Sequence, residues 1–317
     1  MIACDDEFVS ETYWESVMAS GLEVPGSRSL DDLTTELVTW LGDPNPHRRD
    51  DLAYPILATW ISHGVYDELL AGIGDGITVG LASGLGNNGD ETVLRRSFSA
   101  LVLAEIIGRD NESRRLDPDV VIRWGDRATS WYVRERDLRG WIPHHGWAHA
   151  VAHGADLVGQ LARSRHFGAL ELTVLLDVVA DRLLQPTTYA WRHGEDDRLA
   201  YAVMTILHRN LVSMSILEPW IARLGQGMRE PLTRGQSTGE WPSPAAANTG
   251  GFLRALHLQL ALGVHGRPDV TDDAMLFGMP PQGRTDLILA VLEQLRSGNQ
   301  WLFRKRSDVA PVPASRG

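Results

Sequence analysis

Apolar residues recur at helical spacing along almost the whole chain, and this pattern restricts the fold more than any other feature of the sequence. Leu33, Leu37, Val38 and Leu41 stand three or four residues apart, as do Leu52, Ile56, Leu57, Trp60 and Ile61. Residues at these intervals lie above one another on an α-helix, so each set makes a stripe that a neighbour must cover. Ser29 or Asp31 caps the first helix, and Gly42 and Pro44 stop it. The second opens near Arg49 and ends at Gly64. The same spacing predicts helices over about 66–84, 90–108, 117–134, 146–163, 169–184, 195–209, 211–225, 248–263 and 284–297. No alternating Val, Ile or Thr run lies between hairpin turns, so no strand is predicted.

Short links between such helices imply antiparallel pairs. The expected fold is therefore all-α: a HEAT-like stack of antiparallel helix pairs, as an α-solenoid or a curled helical array. One helical domain is expected over residues 26–304, after an N-terminal extension over 1–25. The Gly/Pro/Ser-rich stretch at about 226–247 reads as a mobile loop within it, and residues 305–317 read as a disordered tail.

Composition removes several classes of function. The net charge of −11 opposes the phosphate neutralisation on which nucleic-acid binding rests. No apolar run is long enough to span a membrane, and the acidic N-terminus lacks the pattern of a secretory signal. The single cysteine, Cys4, cannot form an internal disulfide, which fits a reducing, cytoplasmic setting. GLASGLGNNGD at 80–90 is glycine-rich, but no strand precedes it and no lysine follows, so it reads as a helix–helix loop. The pairs Asp31–Asp32 and Asp196–Asp197 fall at helix starts, where acids cap amides and suit the dipole.

Four stretches carry a resemblance: Arg49–Asp50, RRSFSALVLAEII at 95–107, ERDLRGW at 135–141 and GWAHAVAHGADL at 146–157. Through them the chain resembles the bacterial family catalogued as domain of unknown function number 2785, over most of residues 30–260. The resemblance implies a helical, HEAT-like fold and no particular activity. His257 is a departure, standing where the family suggests an aromatic residue.

The most informative region is 135–156. On a helix beginning near Gly146, His149, His153, Asp156 and Gln160 fall at i, i+4, i+7 and i+11. At about 100° per residue they form one stripe. A solvated stripe carries Lys, Arg and Glu, whereas this one carries two imidazoles and a short carboxylate, groups that hold protons or metals near neutral pH. Upstream stand Glu135, Asp137 and Arg139, then a turn containing His145 and flanked by Trp141 and Trp147.

Four readings follow. In the first, His149 or His153 transfers protons, and Asp156 or Asp137 orients the other ring nitrogen. Arg139 then anchors an anionic group, and Glu135, Trp141, Trp147 and His145 complete the substrate site of a small-molecule enzyme, such as a tailoring step in specialised metabolism. In the second, His149 and His153 hold a divalent metal such as zinc in a hydrolase, with a third ligand from another helix, His63 or His208. No cofactor beyond such a metal is implied. In the third, the stripe lines a groove for a protein partner. In the fourth, it is a buried hydrogen-bond network that pins helices together. The expected partner is thus a small-molecule substrate or a protein, with neither nucleic acid nor membrane.

Overall fold

The structure, a computed structural model, describes residues 10–229, 242–266 and 271–303. The expected stripes become helices α2 (Leu30–Trp40), α3 (Tyr54–Ser62), α4 (Leu70–Gly80), α5 (Thr92–Ser113), α6 (Pro118–Arg134), α7 (Ala150–Arg163) and α8 (Ala169–Leu184). They are followed by α9 (Glu195–His208), α10 (Met214–Met228), α11 (Pro244–Leu262) and α13 (Arg284–Gly298). The Ser29 side chain caps α2, accepting from the Asp32 backbone N–H at 3.1 Å. Three helices come in addition: α1 (Glu11–Ala19), α12 (Thr271–Phe277) and the short α14 (Gln300–Phe303). Among the described residues the chain is all-α apart from one two-stranded hairpin.

The order of packing is simple. Helices α3, α5, α7, α9, α11 and α13 pack each on the next in one row. Helices α4, α6, α8 and α10 form a second row behind it. Close approach between the rows depends on small residues. At Gly154 of α7, a Cβ would stand 2.2 Å from the Tyr132 ring of α6. Helix α5 is buried on nearly every side, and even Arg96, Ser97, Ser99 and Asp110 on it are closed off from solvent.

Three boundaries differ from the sequence reading. Part of the N-terminal extension belongs to the core. Trp14 of α1 is fully buried, with its ring 6.2 Å from Trp40 and 6.3 Å from Trp60. The loop expected over 226–247 is shorter at both ends, because α10 runs to Met228 and α11 starts at Pro244; residues 230–241 lie outside the described residues. The predicted tail over 305–317 lies outside them too, and so does Cys4. The second helix, expected as ordinary α-helix from about Arg49, instead opens with a π-helical stretch, His47–Ala53, leading into α3. No helix among the described residues is long and apolar enough to cross a membrane.

The absence of strands is also corrected. β1 (Trp141–Ile142) and β2 (Gly146–Trp147) pair antiparallel, with Trp141 opposite Trp147. The hairpin takes positive φ at His144 in its turn (67°) and at Gly146, the first residue of β2 (76°). At Gly146 any side chain would be strained and would also press on Asp50 Oδ2 and Pro46 at 3.0 Å.

Candidate functional site

A cavity of about 580 Å³ opens on the row of odd-numbered helices. Its walls are Phe98 and Glu105 of α5, His153 and Asp156 of α7, Arg198 and Tyr201 of α9, Trp147 of the hairpin and His149 between the hairpin and α7. Tyr54 at the start of α3, Arg163 at the end of α7 and Asp273 of α12 close the edges. That size is ordinary for a small-molecule site.

The predicted helix from Gly146 starts later, at Ala150. His149 stands before it with φ 46° and ψ 33°, in the left-handed region, where a residue with a Cβ is strained. His149 and His153 are therefore not two positions on one helical stripe. Their rings meet edge to face nonetheless, 5.8 Å apart. The Trp147 ring stacks on His149 at 4.2 Å, and Phe98 meets His153 at 5.0 Å on the far side.

His153 is held by a definite proton arrangement. Its Nδ1 lies 2.8 Å from Ser97 Oγ, and Ser97 Oγ makes a short hydrogen bond to the Ala148 carbonyl. A carbonyl only accepts, so the single Ser97 proton points at Ala148. Ser97 then offers a lone pair to His153, whose Nδ1 must carry the hydrogen. Nε2 is left with its lone pair, has no hydrogen bond within the described residues, and belongs to a ring that lines the cavity. Burial, then the Arg198 charge and the neighbouring His149 imidazole, hold His153 well below its ordinary pKa of 6.5. It is neutral at pH 7.

His149 is 8% exposed, and its Nε2 is buried without a hydrogen-bond partner. Burial first, then Arg198 and His193, push its pKa down to about 4. Its Nε2 faces Glu195 Oε1 at 4.0 Å, and His193 Nδ1 lies 3.6 Å from the same oxygen. Among the described residues, the group whose donor atoms come close enough for a metal is this one: His149, His193 and Glu195. His153 is not part of it. Nor are His63 and His208, the third ligands expected from sequence. His63 caps the end of α3, and His208 packs on Phe277 at 4.9 Å.

The remaining expected site residues fall elsewhere. Asp156 does not orient an imidazole; it pairs with Arg198 of α9, its Oδ1 3.0 Å from Arg198 Nε. Ser97 does the orienting instead. Glu135 is 1% exposed and takes both Nε and Nη2 of the fully buried Arg96, at 2.6 and 2.9 Å, together with the Trp131 indole N–H. Asp137 is buried, accepts from the Gly89 backbone N–H at 2.9 Å and is clasped by Arg139 at 2.6 Å. That clasp raises the Arg139 pKa further. None of these three lines the cavity. Trp141 and His145 sit on the exposed side of the hairpin, with His145 Nε2 3.0 Å from Glu91. Of the two tryptophans, Trp147 alone reaches the cavity wall.

Several wall residues carried no signal of their own in the sequence. Asp50 is one: its burial raises its pKa, while Arg49, 2.7 Å away, pulls it back. Arg163, paired with Asp273, and the Tyr54 hydroxyl, donating to Glu105 at 3.0 Å, are others. Asp50, Ser97, Phe98 and Glu105 do fall inside the two stretches, 49–50 and 95–107, through which the chain resembles its family.

A family model described as "Protein of unknown function (DUF2785)" matches residues 81–258, more than half of the 317-residue chain. The chain belongs to this family. The match is narrower than the span of 30–260 expected from the motifs. It leaves out Arg49–Asp50 while containing Ser97, both cavity histidines and the His193–Glu195 pair. No curated protein and no solved structure gives a match.

Proposed function

We propose that this DUF2785 protein is an enzyme that performs acid–base chemistry on a small polar molecule bound in the cavity, with His153 Nε2 as the proton acceptor. The observation that carries this reading is the chain of hydrogen bonds from His153 Nδ1 through Ser97 to the Ala148 carbonyl. It fixes a buried imidazole in the one tautomer that aims a lone pair at the cavity.

The wall charges favour a neutral or cationic substrate over the anionic one expected from Arg139. Four carboxylates line the cavity (Asp50, Glu105, Asp156 and Asp273) against two guanidiniums, Arg163 and Arg198. Each of those guanidiniums already faces an aspartate. The two packed rows of helices support a HEAT-like stack as the architecture, and the single cysteine supports a cytoplasmic location.

The test is to incubate the full chain with a mixture of polar metabolites and follow their consumption by mass spectrometry. His153→Asn keeps an N–H for Ser97 but removes the Nε2 lone pair. The reading predicts at least one compound consumed by the wild type and spared by this variant, a loss of about 100-fold or more. Equal consumption by the two proteins overturns it.

A further inference from the structure

We propose that His149 Nε2, His193 Nδ1 and Glu195 Oε1 form a binding site for one divalent transition metal of the zinc class. The three donors come from separate pieces of the chain: the junction of β2 with α7, the loop before α9, and the first residue of α9. His193 and Glu195 are near neighbours in sequence, but His149 comes from the far side of α7 and α8, and all three donor atoms lie within 4.8 Å of one another. Bonds of about 2.0–2.1 Å place tetrahedral ligand atoms roughly 3.3 Å apart. The Glu195 oxygen is already 3.6 Å from His193 and 4.0 Å from His149, so closing on an ion needs only small shifts.

Three further features fit a ligand set. His149 Nε2 is buried, lacks any hydrogen-bond partner and faces the carboxylate. A buried ring nitrogen with nothing to bind costs free energy, and an ion removes that cost. Glu195 is 2% exposed and divides its two oxygens. Oε2 accepts the backbone N–H groups of His193 at 2.7 Å and Arg192 at 3.1 Å, which fixes the carboxylate and leaves Oε1 turned toward the imidazoles. At Gly140, a Cβ would stand 2.3 Å from His193 Nδ1 and 2.8 Å from Glu195 Oε1. The glycine thus keeps a side chain out of the space between the donors.

Two imidazoles and a carboxylate suit zinc and its first-row neighbours, whereas calcium and magnesium prefer all-oxygen sets. Three protein ligands leave a coordination position open, as catalytic rather than structural zinc sites do. His149 is both a ligand and part of the cavity wall, so the site adjoins the cavity. When bound, the ion supplies Lewis acidity beside His153, whose low basicity calls for an acidified proton on the substrate or on water. The site does not use His153, so it stands or falls apart from the acid–base reading.

The experiment titrates zinc chloride alone into chelator-stripped full-length protein at pH 7.5 by calorimetry, with cobalt(II) absorption as a second readout. One ion per chain is expected, with micromolar or tighter affinity and the intense visible bands of a low-coordinate cobalt site. His193→Ala lies on a half-exposed loop and should fold normally, which circular dichroism checks. This variant and Glu195→Gln should each weaken zinc binding at least tenfold, while His153→Asn leaves it unchanged. Absence of saturable uptake, leaving an ion-pair cluster only, overturns the proposal. So does uptake that neither ligand variant weakens. Loss of turnover in His153→Asn with zinc binding intact separates failure of one reading from failure of the other.

Discussion

Two polar clusters lie within twenty residues of each other in sequence, and both are buried. They differ in what is left over. In the first, Glu135 accepts from Arg96, the Trp131 indole and the backbone N–H groups of Arg136 and Asp137, and Asp137 is filled by Arg139 and Gly89. Every acceptor is used, and the cluster ties α5, α6 and the loop after it into one block. In the second, neither His149 Nε2 nor His153 Nε2 has a hydrogen bond among the described residues, and both rings line the cavity. Burial of polar groups is common to scaffolding and to chemistry. An unspent lone pair at a cavity wall is what separates these two clusters.

The largest expected difference lies in stability. Glu135→Ala strands the buried Arg96 guanidinium and should cost about 3–5 kcal/mol, read as a lower midpoint in urea with little change in slope. A cost below about 1 kcal/mol would break the comparison, since the first cluster would then not be scaffolding.

A second effect is in pH. The folded-state pKa of His153 is depressed below its unfolded value of 6.5, so the unfolded chain binds the proton first. Stability is therefore full above about pH 6.5 and falls as the pH drops below it, by up to about 1.4 kcal/mol per pH unit for each such histidine. Urea titrations of chelator-treated protein between pH 7 and 5 should show this slope, and His153→Asn should flatten it. The smallest effect belongs to His149→Asn. Asparagine tolerates the left-handed backbone and removes an unsatisfied buried nitrogen, against the lost stacking on Trp147. Its stability should stay within about 1 kcal/mol of wild type, which sharpens the contrast with Glu135→Ala.

Much of the fold was legible in the sequence because helical periodicity is local. The stripe of Leu33 and Leu37 and the cap at Ser29 are fixed by neighbours within a few residues. The acidic pairs at 31–32 and 196–197 do sit in first helical turns. The site was legible only in part. The composition of the 149–156 segment marked it as unusual, and the structure does place His149, His153 and Asp156 in a cavity wall. Their roles were not readable, since partners arrive from helices far away in the chain. Ser97, which sets the His153 tautomer, is 56 positions upstream, and Arg198, which takes Asp156, is 42 downstream. His193 and Glu195 drew no attention of their own, standing where a helix was expected to begin at about 195. Regular periodicity also extended α7 backward through His149, because a positive φ at a non-glycine residue leaves no mark in the pattern. Trp14 was missed for a related reason: the strongest clue to α1 is the core it joins, not its own short sequence.

The most direct test of the contrast between spent and unspent valence is the protonation of His153 itself. Long-range proton–nitrogen correlation spectra of protein labelled with 15N-histidine report each ring's tautomer, and His153→Asn identifies the signal. At pH 7 the account predicts a neutral ring with the hydrogen on Nδ1 and a bare Nε2. A hydrogen on Nε2, or a ring charged at pH 7, would contradict it.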